Sequence, residues 1–174
     1  MLVNQRFSLI QKSIIAIIVL VLCLAILHGA NSKQVEFALV PMHVGHHKIT
    51  VQLADTNDKR LQGLMGQETL TNGLVLVYDK PWRIKLWMKN TPSALDVAFI
   101  DEDWMISQIN QMEPFSLVVH ESLKPSIAAL EMPLGWFKAN QIELGTRVYM
   151  CHKENEYCTK KAIRWSLTFP DLLY

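Results

Sequence analysis

Residues Leu86 to Asp101, LWMKNTPSALDVAFID, constrain the fold more than any other stretch of the chain. Two runs of alternating apolar residues flank a turn built from Lys, Asn, Thr and Pro. Successive side chains point to opposite faces of a strand. Ile84, Leu86 and Met88 therefore share one face, and Arg83, Lys85, Trp87 and Lys89 share the other. In the second run Leu95, Val97 and Phe99 fall together. An antiparallel hairpin of the two runs puts Leu86 opposite Phe99, Met88 opposite Val97 and Lys89 opposite Asp96, since a one-residue slip would invert a face. A Trp between two lysines on the polar face fits a lined pocket or a partner surface better than a merely solvated one.

The same alternation recurs along the chain and predicts mostly strands. Strands are expected over Val35–Val40, Ile49–Ala54, Leu74–Tyr78, Leu95–Ile100, Trp104–Asn110 and Ser126–Met132, with a last hairpin from Leu144–Cys151 and Cys158–Phe169. Met42–Lys48 reads as a turn around Gly45, and Glu113–Pro125 as a loop. Asp55, Thr56 and Asn57 offer caps for a short helix over Asp58–Leu64, and Trp136–Asn140 suits a second. The pattern implies an α+β domain. It is a β-rich antiparallel sheet or partly closed barrel with one or two short helices, preceded by an N-terminal hydrophobic helix.

That leading segment sets the compartment. Arg6 and Lys12 precede an unbroken apolar run, Ile14 to Leu27, inside a 20-residue window without a charged residue, Ser13 to Ser32. A helix of that length spans about 30 Å, roughly the hydrocarbon core of a bilayer. Residues 1–30 are expected to be a signal anchor or signal peptide. Positive residues ahead of the run keep the N-terminus cytoplasmic. The globular domain, 31–174, then lies in the periplasm, held to the inner membrane through residues 13–30, or is secreted if the signal is cleaved. It carries 15 Lys and Arg against 16 Asp and Glu and has no basic stripe, so nucleic acid is not an expected partner. Cys151 and Cys158 are its only cysteines, and in an oxidising compartment they are expected to form a disulfide.

The segments GLM (Gly63–Met65), WMKNT (Trp87–Thr91), LDVAFID (Leu95–Asp101) and LEMPLGWFKANQIELGTRV (Leu130–Val148) occur in an order that resembles the bacterial and archaeal family called domain of unknown function 192. The resemblance covers residues 49–148 and leaves 149–174 as a C-terminal hairpin extension. It implies a compact β-rich fold with short helices behind a signal or anchor, and no established activity. The chain departs from the family pattern at Gln67, where Arg is usual, at Leu74 and Val75, where Met and Leu are common, and at Thr146, where Asp is usual. An anion site using that Arg would be weakened here.

Three constellations carry candidate chemistry. Trp87, Lys89, Asn90 and Asp96 could hold a small polar or anionic ligand or an envelope protein. The bland reading is a turn shaped by Asn90 and Thr91 with a Lys89–Asp96 pair. Met42, His43, His46 and His47 surround a glycine turn with copper- or zinc-type ligands but in no standard spacing. The carboxylates Asp96, Asp101, Glu131 and Glu143 would serve acid–base hydrolysis only as a pair at the right separation. No nucleophile elbow or phosphate-binding loop is present, and no cofactor is expected. The sequence thus favours an exported binding domain. An enzyme acting on an envelope glycan or small metabolite and a periplasmic metal-handling protein are the alternatives.

Overall fold

A computed structural model describes residues 35–151, together with Ile14 and Ile17 of the preceding segment, both helical and exposed. The chain divides into two units, Met1–Gln34 and Val35–Tyr174. The remainder of the expected anchor, Cys158 and the second half of the expected last hairpin lie outside the described residues. Among the described residues no helix is long and apolar enough to cross a membrane.

The second unit runs β1 (Ala38–Val44), β2 (His47–Ala54), α1 (Asn57–Gln62), β3 (Leu74–Trp82), β4 (Lys85–Leu86), β5 (Leu95–Ile100), β6 (Ile106–Met112), β7 (His120–Glu121), β8 (Ser126–Pro133), α2 (Trp136–Ala139) and β9 (Val148–Met150). Seven strands form one sheet in the order β6-β5-β8-β3-β2-β1-β9, and β4 pairs with β7 in a separate ribbon. The sheet curls into a half-barrel. Its two ends meet in a short seam, where Ile106 N donates to Thr146 O (2.9 Å) and Val148 N donates to Trp104 O (2.8 Å). Met105 bridges Arg147 in the same seam.

The β-rich class and the two short helices match the expectation; four details do not. The sheet is not wholly antiparallel, because β2 and β3 run parallel. Parallel neighbours need a crossover, and residues 55–73 supply it with α1, whose Thr56 cap accepts from Lys59 N. The expected turn at Met42–Lys48 narrows to Gly45 and His46, since both flanks extend as strand. The loop expected over Glu113–Pro125 contains β7.

The largest correction concerns the hairpin drawn from residues 84–101. β5 pairs with β6 on one side and β8 on the other. No edge remains for residues 84–89, so Asp96 lies opposite Gln111 and Met132 rather than Lys89. All six residues of β5 are buried. One apolar cluster fills the inside of the curl with side chains from all seven strands and Phe137 of α2. A second covers the outer face of β3, β5 and β8, where Leu74, Leu76, Val97, Phe99 and Ala129 meet Leu64, Ile84, Leu86 and Met88. The segment 84–88 is thus the lid of the second core.

Candidate functional site

The WMKNT turn sits on that lid. Ile84, Leu86 and Met88 point into the second core and are buried, so the alternation turns Lys85, Trp87 and Lys89 outward. The segment is fixed to the stretch 115–122. Lys85 pairs with Glu121 and Leu86 with His120. Ser122 N donates to Ile84 O (2.9 Å), and Ile84 N donates to Ser122 Oγ (3.0 Å). Beyond β4, Met88 N donates to Ser116 O (3.0 Å).

The turn itself closes with Thr91 N donating to Met88 O (3.1 Å). Asn90 occupies the left-handed region at φ 58°, a conformation Asn tolerates better than most residues. Asn90 O accepts from Gly66 N (2.8 Å), and Thr91 O accepts from Phe115 N (3.0 Å). Two loops therefore clamp the turn from either side. On this rigid base Trp87 is 46% exposed, with Lys89 Nζ 5.4 Å from its ring centroid. A cation at that distance over an indole face is attracted by the ring quadrupole.

Trp87, Lys89 and Asn90 thus share one surface, and Asp96 does not join them. Asp96 is 3% exposed, and its Oδ2 accepts from Gly135 N (2.8 Å) ahead of α2. Its Oδ1 is buried without a partner among the described residues. The side chain alternates with Ala98 and Ile100 toward the first core, away from the lid. A catalytic grouping of Lys89 with Asp96 therefore has no geometric basis here.

The other carboxylates also stay apart. Asp101 Oδ1 accepts from Asp103 N and Met105 N and shapes the turn before β6. Glu143 is exposed. It borders an open groove of about 520 Å3 beside β6, lined also by Gln108, Asn110, Leu123 and Leu144. Glu131 is the unusual one. It lies opposite Leu74 on one side and Val97 on the other, in the second core, and burial pushes its carboxyl up to about 7. Nearby Tyr78 is raised to about 12, chiefly by burial; Arg60 lowers it and Glu131 raises it further. The Arg60 guanidinium stacks 4.8 Å over the Tyr78 ring and donates to Val77 O. Glu131 was legible as a carboxylate but not as a buried one. The signal was its place as the sole charge in IAALEM, a segment apolar on both faces. Gln67, at the departure from the family pattern, exchanges two amide hydrogen bonds with Gln52 at 2.9 and 3.1 Å.

The histidines do not converge. His43 pairs with Lys48 and His47 with Val44, which places His43 and His47 on opposite faces of the β1–β2 hairpin. His47 packs edge-on against Trp136 at 6.3 Å, and His46 stacks at 5.4 Å from His47. Among the described residues no three His, Cys, Asp or Glu side chains come together as a metal site.

The chain belongs to a family that its sequence identifies. Residues 40–150 match the family domain of unknown function 192, described as uncharacterized ACR. No curated protein matches the chain. A crystal structure from Sinorhizobium meliloti 1021, named as a candidate transcription regulator, is similar at 28% identity with a TM-score of 0.65. The similarity covers 67% of this chain and 97% of that one. A protein of unknown function from Novosphingobium aromaticivorans DSM 12444 is similar at 25% identity and a TM-score of 0.61, over 68% of this chain and 93% of that one.

Proposed function

We propose that this chain is an exported, membrane-anchored binding domain whose contact surface is centred on Trp87, Lys89 and Asn90. One observation carries the reading: an indole nearly half exposed on a backbone hydrogen-bonded from two sides. Large aromatic side chains on rigid supports make contact area at low entropic cost. The charge-free window Ser13–Ser32 supports the anchor, with the domain on the periplasmic side. In that compartment Cys151 pairs with Cys158 and staples the C-terminal extension, as an even pair of exported cysteines does.

The test uses cells lacking the gene and rescued by the full chain. Trp87→Ala and Lys89→Glu should accumulate as folded membrane protein yet fail to restore whatever phenotype the deletion causes. Full rescue by both variants overturns the assignment of the surface. Recovery of the full chain in the soluble cytoplasmic fraction overturns the anchoring. Thiol labelling of the unreduced chain should leave Cys151 unmodified; its ready modification overturns the disulfide.

A further inference from the structure

The stretch bonded to the Trp87 segment exposes several apolar side chains. Phe115, Leu117, Val118, Val119 and Leu123 are each 55 to 70% exposed within nine residues. Isolated exposed apolar residues are ordinary on a soluble protein, but a contiguous set is not. These side chains are held outward by a fixed backbone. The bonds from Met88 to Ser116, from Phe115 to Thr91 and from Ser122 to Ile84 anchor both ends of the stretch, and Phe115 itself sits at φ 57°. The stretch pairs with the segment that carries the indole, Leu86 lying opposite His120 and Met88 N donating to Ser116 O, so Leu117, Val118 and Val119 lie between two points bonded to that segment.

The rim is cationic. Segments 83–91 and 113–124 carry Arg83, Lys85, Lys89 and Lys124 against Glu113 and Glu121, with Lys85 3.7 Å from Glu121. The exported part as a whole has one more acid than base, so this excess of cations is local.

We propose that this face lies on the anionic surface of the membrane, with Phe115, Leu117, Val118 and Val119 entering the headgroup boundary and Trp87 and the lysines at headgroup level. The proposal rests on the anchored reading above and names the partner of the same surface. The composition separates a lipid partner from a protein one. Lysine is depleted from protein interfaces. At a bilayer surface it is favoured, because its stem lies along apolar groups while the ammonium stays among phosphates. Tryptophan concentrates at the same depth. The tether adds to this. Only residues 31–34 separate the expected anchor from Val35, so an anchored domain starts within roughly 15 Å of the surface. A surface so close meets lipid at high effective concentration.

The test reconstitutes the full chain in vesicles of phosphatidylcholine and phosphatidylglycerol, with and without brominated acyl chains, and reads tryptophan fluorescence. Brominated lipid should quench the wild-type chain, and Trp87→Phe should lose the larger part of that quenching. The double substitution Lys85→Gln and Lys89→Gln, or high salt, should reduce it several-fold. Leu117→Ser with Val118→Ser, at two exposed positions where folding is not at stake, should do the same. Equal quenching in wild type and Trp87→Phe overturns the proposal, as does quenching indifferent to phosphatidylglycerol. If the chain does not incorporate into vesicles, the anchoring fails; co-sedimentation of that soluble chain with phosphatidylglycerol vesicles, lost in Trp87→Phe, would still support the surface. A photoreactive residue at Leu117 that crosslinks a protein and no lipid overturns the proposal in favour of a protein partner.

Discussion

Residues 84–89 and 95–100 look alike in sequence, two apolar-alternating runs either side of one turn, and they end in opposite situations. The first contributes a two-residue strand to a ribbon, with one face in the second core and the other carrying Trp87 and Lys89 outward. The second is a central strand buried on both faces, feeding Val97 and Phe99 into one core and Ala98 and Ile100 into the other. The difference lies in the alternate positions. Arg83, Lys85 and Lys89 cannot be buried without partners, whereas Ala98 and Ile100 are suited to burial and only Asp96 is not. An alternating run whose off-face is itself mostly apolar marks a strand covered twice.

Substitutions in the two runs should separate them clearly. Phe99→Ala should cost about 3–5 kcal/mol, the usual range for emptying a buried aromatic site, read as a shift of the denaturation midpoint. A cost below about 1 kcal/mol would mean that β5 is not the centre of the sheet.

Glu131, beside Val97, gives the next effect. Its folded pKa is raised from 4.5 to about 7, so the folded chain holds a proton that the unfolded chain releases. The stability tied to that proton is fully present below pH 4.5 and is lost as pH rises through about 7. Glu131→Gln removes this dependence. The variant should gain on wild type by up to about 3 kcal/mol at pH 8, and the gap should close toward pH 4. Melting curves of both proteins across that range check it: a gap unaffected by pH would place Glu131 in contact with solvent, and a gap of opposite sign at high pH would place a cation beside it.

Asp96→Ala should cost about 1–3 kcal/mol, because Gly135 N–H loses its acceptor in a partly buried place. Asp96→Asn should cost less, since an amide oxygen can still accept. A larger effect of either on surface binding than on stability would tie Asp96 to the lid after all. Lys89→Gln and Trp87→Ala should change stability by no more than about 1 kcal/mol, since both project from a segment whose other face does the packing. Amide exchange that rises across 84–91 in either variant would show that the exposed face helps hold the lid.

Class, element types and most strand positions were legible, because period-two patterning survives in short runs. Pairing was not. The rule that neighbouring strands form hairpins failed at residues 84–101 because the turn Met88–Thr91 carries the chain from the lid down into the sheet rather than back along itself. The parallel step from β2 to β3 was hidden for a similar reason: a short capped helix and the stretch after it carry no sign of strand direction, while their combined length permits a crossover. The candidate site was half legible. Trp87, Lys89 and Asn90 stand together because parity and a local turn decide it. Asp96 does not, because its neighbours are set by β6 and β8, which lie remote in sequence. The apolar stretch at 115–123 went unmarked, since its residues follow neither period.

The curl of the sheet has a consequence for life in a crowd. An open seven-stranded order would leave two rows of unpaired amides and carbonyls, each able to recruit the same strand from another copy. One row meets the other at the seam between residues 104–106 and 145–148. Farther along β6, Gln108 holds the neighbouring stretch in place, accepting from Leu123 N at 2.7 Å and donating to Glu121 O at 3.2 Å. Chains confined to a surface collide with one another far more often than chains in bulk solution. For a protein held at a surface, as proposed above, a polymerisation-competent edge would be a standing hazard, and among the described residues a three-residue seam and a single glutamine occupy part of this one.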